Sequence, residues 1–258
     1  MMMLSGHRRQ PAAHQSPKQL APERLALACR VETDGVGFAL AGVAACALPA
    51  GGLWLAAART LIVSDLHLEK GSSFAQRGQV LPPYDTRTTL ARLSALASQL
   101  KPACIVSLGD SFHDPRAAQR LCPEDAATLR TLTAAHDFVW IEGNHDPRPP
   151  EALGGRAAAE LVVSGLTLRH EPTGAATEIA GHLHPCAAVS GRGRRLRARC
   201  FATDGERLVM PAFGAFTGGL NVCDAAFASV FAQGCDALLL ARGKVYPAPA
   251  ERLLPDAA

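Results

Sequence analysis

Aromatic residues are scarce in this 258-residue chain, at 5% of the total. None alternates with basic residues as a nucleobase-stacking surface would, and only Phe201 stands near the densest basic stretch. Charge of one sign is also lacking. The net value of +3 gives no global field to attract a polyanion. Eight cysteines occur, but no two are spaced C-x-x-C, so neither a structural zinc site nor a thioredoxin-like site is expected. Reduced thiols, most of them small core residues, are the expectation for a long chain without a secretion signal. Cys186 lies close to other notable residues but is assigned no role. No apolar stretch follows the basic start, so the first residues do not read as a secretory signal. Residues 35–58 carry no charge and are long enough to cross a bilayer. Gly37, Gly42, Pro49, Gly51 and Gly52 punctuate them, however, which argues for turns between short strands. Phe38-Ala39-Leu40 and Leu53-Trp54-Leu55 are the expected strand pieces, with Phe38 and Trp54 in the core.

What remains is an ordinary globular composition, 48% hydrophobic and 19% charged. Residues 1–24 are rich in Pro, Gln, His and Ala without apolar period and are expected to be a disordered tail. Residues 25–258 are long enough for one α/β domain with a large core.

Against this background, four short segments carry chemistry. They are Asp65-Leu66-His67, Gly109-Asp110, Gly143-Asn144-His145-Asp146 and Gly181-His182-Leu183-His184, with His170 alone between the last two. A phosphodiester resists attack because its oxygens are negatively charged. Two divalent cations about 3.5–4 Å apart can neutralise that charge and activate a water. They need carboxylate, imidazole and amide oxygen ligands, and one carboxylate that bridges them. No segment supplies this alone, but the set does. Of the nine histidines, His7, His14 and His136 are expected to do nothing special. Any single histidine taken alone reads better as a satisfied core or surface residue.

The segments also stand where ligands should stand. Leu61-Ile62-Val63-Ser64, Cys104-Ile105-Val106-Ser107-Leu108, Phe138-Val139-Trp140-Ile141-Glu142 and Leu166-Thr167-Leu168-Arg169 each run apolar into one of them. Such short runs read as buried strands, and open α/β sheets bind ligands just past the carboxyl ends of their strands. A helix is predicted with Asp85 as N-cap and Leu90, Leu93, Leu96, Ala97 and Leu100 facing in, stopped by Pro102. A second begins near Pro123-Glu124-Asp125, with Leu129 and Leu132 inward. Strand-helix alternation argues for a largely parallel sheet in this half. Leu208-Val209-Met210 and Ala237-Leu238-Leu239-Leu240 are candidate strands of a strand-rich second half.

The ordered motifs D-x-H, G-D, G-N-H-D, H and G-H-x-H resemble those of the calcineurin-like metallophosphoesterase superfamily. The resemblance implies a four-layer αββα sandwich, two mixed sheets flanked by helices. It implies one metal held by Asp65, His67, Asp110 and His184, and a second held by Asp110, Asn144, His170 and His182, with Asp110 bridging. His145 would face the scissile group, and Asp146 would orient His145. Gly109-Asp110-Ser111-Phe112-His113-Asp114 and the final Asp146 depart from the protein Ser/Thr phosphatase forms G-D-x-V-D-R-G and G-N-H-E. The first of these segments resembles the G-D-x-x-H form of double-strand-break repair nucleases, so His113 could flank the site or simply bond a nearby carbonyl. Asp65 to Gly71, Arg77-Gly78, Leu81 to Asp85 and Pro211-Ala212-Phe213-Gly214-Ala215-Phe216-Thr217-Gly218-Gly219-Leu220-Asn221-Val222 together resemble the ligase-associated DNA damage response endonucleases of the PdeM type. Many members of that family carry Gly where this chain has Glu69.

These resemblances imply a metal-dependent phosphodiesterase, a DNA endonuclease in repair, in a bacterial cytoplasm beside a DNA ligase and a helicase. Manganese suits a thiolate-free ligand set, with iron or zinc as alternatives. Two other functions remain open: a small-molecule phosphodiesterase or nucleotide pyrophosphatase, and a repair-complex partner with weak turnover. Arg192, Arg194, Arg195, Arg197 and Arg199 follow the last metal motif. They could hold a phosphate backbone or be the solvated charges of an edge strand. Residues 214–221, apolar and Gly-rich, could be a strand bend, a partner surface or part of the site rim.

Overall fold

The computed structural model describes residues 34–79, 81–82, 84–148, 150–191 and 193–256. The tail expected over residues 1–24 and the side chain of Arg192 lie outside the described residues. Strands and helices are numbered here in chain order. The first sheet has seven strands in simple sequence order: β1 (Val36–Leu40), β2 (Val43–Ala47), β3 (Leu53–Leu55), β4 (Thr60–Val63), β5 (Cys104–Leu108), β6 (Asp137–Ile141) and β7 (Arg156–Ala158). The uncharged stretch of residues 35–58 forms the antiparallel meander β1 to β3. Among the described residues no helix is long and apolar enough to cross a membrane. From β4 to β7 the pairing is parallel, as the strand-helix alternation predicts.

The crossovers carry the helices. Of these, α1 (Lys70–Gln76) and α2 (Asp85–Leu100) follow β4, while α3 (Ala117–Arg120) and α4 (Pro123–Ala135) follow β5. Pro123 opens α4 as expected, because its missing N–H costs nothing in a first turn. Asp85 is not the cap of α2. It is the first helical residue, after Tyr84, and its Oδ2 accepts from the Gly71 amide at 2.9 Å, joining α2 to α1. Period 3.6 turns Leu90, Leu93, Leu96 and Leu100 of α2, and Leu129 and Leu132 of α4, onto the first sheet, where they meet Leu61, Val63, Ile105, Phe138 and Trp140.

Period 2 sends the alternate residues Ile62, Val106, Leu108, Val139 and Ile141 to the other face of that sheet. There they pack on the second sheet, which has nine strands. Its members are β8 (Leu161–Val163), β9 (Leu166–Leu168), β10 (Glu178–Ala180), β11 (Pro185–Gly191), β12 (Arg194–Thr203), β13 (Leu208–Val209), β14 (Leu220–Asn221), β15 (Asp236–Ala241) and β16 (Lys244–Ala248). Leu168, Ile179, Phe201, Leu208 and Leu238 face the first sheet. Phe201, the one aromatic near the basic stretch, is therefore core. The opposite face, Cys200, Ala202, Val209 and Leu239, is covered by Phe227, Val230 and Phe231. The layer order is thus helices, sheet, sheet, and a thin outer layer from a segment holding the 3-10 turn Ala225–Phe227. Each buried Val, Leu, Ile or Phe in these layers contributes roughly 1.5–3 kcal/mol.

The thiols need one correction. Cys46, at the heart of β2, is disulfide-bonded, whereas Cys104, Cys122, Cys186, Cys200, Cys223 and Cys235 are free. Pairing depends on how close two Cα atoms come in space, which sequence spacing does not reveal.

Candidate metal centre

Every predicted segment lies just past a strand end. Asp65 follows β4, Asp110 follows β5, and Asn144 and His145 follow β6, all in the first sheet. His170 follows β9, and His182 and His184 follow β10, in the second sheet. The site therefore straddles the edge where the two sheets meet.

The backbone there is unusual. Asp65, His67, Asp110, His182 and His184 have φ of 52°, 44°, 45°, 67° and 47°. Left-handed backbone costs a residue with a Cβ about 1–2 kcal/mol, and such strain gathers where side chains must be aimed. Glu69 is a sixth case, at φ 65°, a position where Gly would be relaxed. Its buried carboxylate compensates by accepting from Ser72 Oγ at 2.6 Å and Thr86 Oγ1 at 3.0 Å. Space is equally restricted. A Cβ on Gly181 would strike Ser64 Oγ and the Asp65 carboxylate.

The seven side chains converge. Asp65 Oδ1 lies 3.1 Å from His184 Nε2, and His184 Nε2 lies 3.3 Å from His67 Nε2. On the other side Asn144 Oδ1, His170 Nε2 and His182 Nδ1 form a triangle with edges of 2.9, 3.0 and 3.2 Å. Asp110 stands between the two groups. Its Oδ1 is 3.4 Å from His170 Nε2 and its Oδ2 is 3.9 Å from His67 Nε2. Three sets of ligand atoms are each compact enough to hold a cation: Asp65, His67 and His184; Asp110, His170 and His182; and His67, His113 and His145, the last sharing His67 with the first and holding no carboxylate. This fits a pair of divalent metals. Lone pairs of oxygen and imidazole nitrogen crowd together at distances that few available protons could reconcile, and a cation at each centre would satisfy them.

Hydrogen bonds behind the site fix how it is presented. His170 Nδ1 donates to the Leu108 carbonyl at 2.9 Å, so Nε2 is left to face inward. Ser64 Oγ donates to Asp65 Oδ2 at 2.5 Å. The local field is strong. Burial opposes charge on His170, but its hydrogen bond to Asp110 and the charge of Asp65 prevail and raise its pKa to about 9, so a cation binding here must displace the Nε2 proton. Burial likewise opposes ionisation of Asp110, yet the His170 contacts hold its pKa down at about 2. His67, with burial as the main cause, is driven down to about 3, so it is a neutral donor.

His145 is placed apart from the triangle. Its Nδ1 donates to the His113 carbonyl at 2.9 Å, leaving Nε2 free, 3.9 Å from Asp110 Oδ2. Its side chain is 41% exposed, which suits a group that meets substrate. The resemblance gives Asp146 the role of orienting His145. Asp146 Oδ2 accepts from the Phe112 amide at 3.0 Å, so it braces the loop after Asp110. It is burial that raises its pKa to about 7. The His113 carbonyl is the hydrogen-bond partner that fixes the His145 ring, and no residue code announces a carbonyl. The His113 ring joins the site, 5.6 Å from His145 and 5.5 Å from His67 between centroids. Burial, with Lys70 nearby, lowers its pKa to about 4.

A model of the calcineurin-like phosphoesterase family matches residues 58–201, which is more than half of the chain and spans the whole cluster. The chain belongs to the calcineurin-like phosphoesterase family. It is accordingly a metal-dependent hydrolase acting on phosphate esters. Among solved structures, nuclease MPE of Pseudomonas putida is similar at 28% identity and a TM-score of 0.64, covering 83% of this chain and 100% of that one. The phosphoesterase Yfce of E. coli is 14% identical with a TM-score of 0.37, covering 74% and 98%, too remote to carry an argument. No curated protein matches the chain.

The basic stretch resolves into parts. Arg194 is exposed at the start of β12. Arg195 and Arg197 pair with Asp256, Arg197 at 3.0 Å. Arg197 also reaches the Gly219 carbonyl at 2.7 Å, and Arg199 reaches that of Ala212. Arg92 of α2, a residue the sequence motifs do not single out, bonds the Phe213 carbonyl and lies 4.9 Å from the Phe213 ring centroid. Arg197, Arg199 and Arg92 thus clamp residues 211–219 beside the metal centre.

Proposed function

We propose that this phosphoesterase is a dinuclear, manganese-activated nuclease that cleaves phosphodiesters in DNA. The observation that carries the proposal is the pair of ligand groups from two different sheets with Asp110 between them, in a chain similar over 83% of its length to a nuclease. The first ion would be held by Asp65, His67, Asp110 and His184, and the second by Asp110, Asn144, His170 and His182. Bound there, the ions supply charge neutralisation and a nucleophile at neutral pH. The rest is the work of the chain. Asp110, kept ionised, ties the two groups together. His145, with Nδ1 committed to His113, presents Nε2 to the scissile group, where it can steady charge or give a proton to the leaving oxygen. Asp146 keeps the Asp110 loop in place. Work on DNA in a bacterial cytoplasm, beside a ligase and a helicase, belongs to the same proposal and rests on the family resemblance.

The test is cleavage of end-labelled single-stranded and duplex DNA by metal-stripped protein, with and without manganese, and with Asp110→Asn as control. Internal cuts that require manganese and vanish in the variant are the expected result. Cutting by fully stripped protein would refute the metal site. Hydrolysis of a small diester with DNA left intact would move the substrate to a small molecule or a strand delivered by a partner.

A further inference from the structure

The two flanks of the metal centre differ in charge. On the Asn144–His170 side a pocket of about 350 Å³ is lined by Glu142, Glu160 and Glu171. Its one arginine, Arg169, is already paired with Glu160 at 3.0 Å. A polyanion is repelled there. On the His184 side lies the loop of residues 211–219, held by Arg92, Arg197 and Arg199; Arg197 also pairs with Asp256 at 3.0 Å, whereas Arg92 and Arg199 hydrogen-bond only carbonyls among the described residues. The loop side is the less repulsive exit for an anionic strand crossing the site.

The loop is tied directly to the site at both ends. The Gly214 amide donates to the Asp65 carbonyl at 3.1 Å, and the Leu220 amide donates to the His184 carbonyl at 3.1 Å. Between them the Ala215 amide is held by Thr89 Oγ1 at 3.0 Å, and Thr217 Oγ1 donates to the Gly214 carbonyl at 2.5 Å. Phe216 stands at the tip of this braced segment, 49% exposed. It holds φ 60°, although Gly214, Gly218 and Gly219 surround it and glycine would relax the strain. A large apolar ring is thus kept in water, on costly backbone, about 7 Å along the chain from a residue that bonds Asp65.

We propose that Phe216 is the stacking platform for a nucleobase of the strand, next to the scissile phosphate, and so a residue that selects polynucleotide over simple diesters. The proposal rests on the nuclease reading above. A ring face accepts any base, so it predicts tight but sequence-tolerant contact.

The experiment is fluorescence anisotropy of a labelled single-stranded phosphorothioate oligonucleotide with the full-length, manganese-loaded protein, alongside cleavage of the ordinary oligonucleotide. Phe216→Ala is expected to weaken binding by about 5–100-fold. Phe216→Trp should retain it, and Phe216→Leu, with bulk but no π face, should fall near alanine. An oligonucleotide with abasic sites should bind wild type and Phe216→Ala alike. Equal binding of the normal strand by both proteins overturns the proposal, as does an equal loss on normal and abasic strands. Manganese-dependent cutting with binding that ignores Phe216 sinks only this inference. Phe216-dependent binding without cutting sinks the nuclease reading and leaves the platform. Neither binding nor cutting overturns both.

Discussion

Gly143→Ala is the sharpest test of how tightly the site is built. A Cβ at this position would lie 2.5 Å from Asp110 Oδ1 and 2.6 Å from Asp146 Oδ1, and closer still to the Asp110 amide nitrogen. Ordinary contact begins near 3.4 Å, so one side must retreat by about 1 Å, a displacement that can cost roughly 100-fold in rate. Neither side can do so cheaply. Asp110 Oδ1 accepts from the His145 amide at 2.9 Å, and the segment that would move instead carries Asn144 and His145. Overpacking of this kind destabilises by about 1–3 kcal/mol, which for a chain of this size lowers Tm by roughly 2–4 °C per kcal/mol. The assay is kcat/KM on a chromogenic diester with manganese, with metal affinity by calorimetry and Tm by scanning. A suitable control is Gly191→Ala, where a Cβ meets nothing within 4 Å. A Gly143→Ala protein with rate and metal affinity within two-fold of wild type would refute the claim that Asp110 and its neighbours have no room.

The remaining expectations concern His145 and Asp114. His145→Ala should retain both metals, measured by elemental analysis, and lose about 10²–10⁴-fold in kcat; loss of metal would place the residue among the ligands instead. Asp114 is held at a pKa of about 2, mainly by its hydrogen bonds to Arg120 at 2.6 and 3.0 Å. A carboxyl whose folded pKa is depressed stabilises the fold above its unfolded pKa and loses that contribution as pH falls from about 4 to about 2. With the side chain 25% exposed, about 1–2 kcal/mol is at stake. Urea unfolding at pH 7 and pH 2.5 should show a smaller acid-induced loss in Asp114→Asn than in wild type, and equal losses would remove the pair from the stability account.

What could be read from residues alone follows a physical divide. Strands that end in ligands were legible because burial on both faces writes a continuous apolar run, and β4, β5, β6 and β9 all start within one residue of expectation. The helices were legible from period 3.6, but Asp85 misled by one place because its carboxylate serves Gly71 rather than its own helix. Backbone groups were invisible, so the His113 carbonyl that holds His145 was not foreseen. Long-range placement was invisible too. Arg92 and Arg199 belong to one clamp from 107 positions apart, and Phe216 reads in sequence as one more apolar residue in a glycine-rich stretch. The Gly214-to-Asn221 segment kept three roles open for the same reason, and its hydrogen bonds to Asp65 and His184 make it the rim of the site.

The division of the proposed ligands between the two sheets also sets an order in time. A growing chain completes the first sheet at Ala158, by which point Asp65, His67, Asp110 and Asn144 have been made, while His170, His182 and His184 have not. Neither ion then has its full set, since each draws at least one imidazole from the second sheet. Until the later strands dock and close the cluster, the half-made protein lacks part of each proposed ligand set.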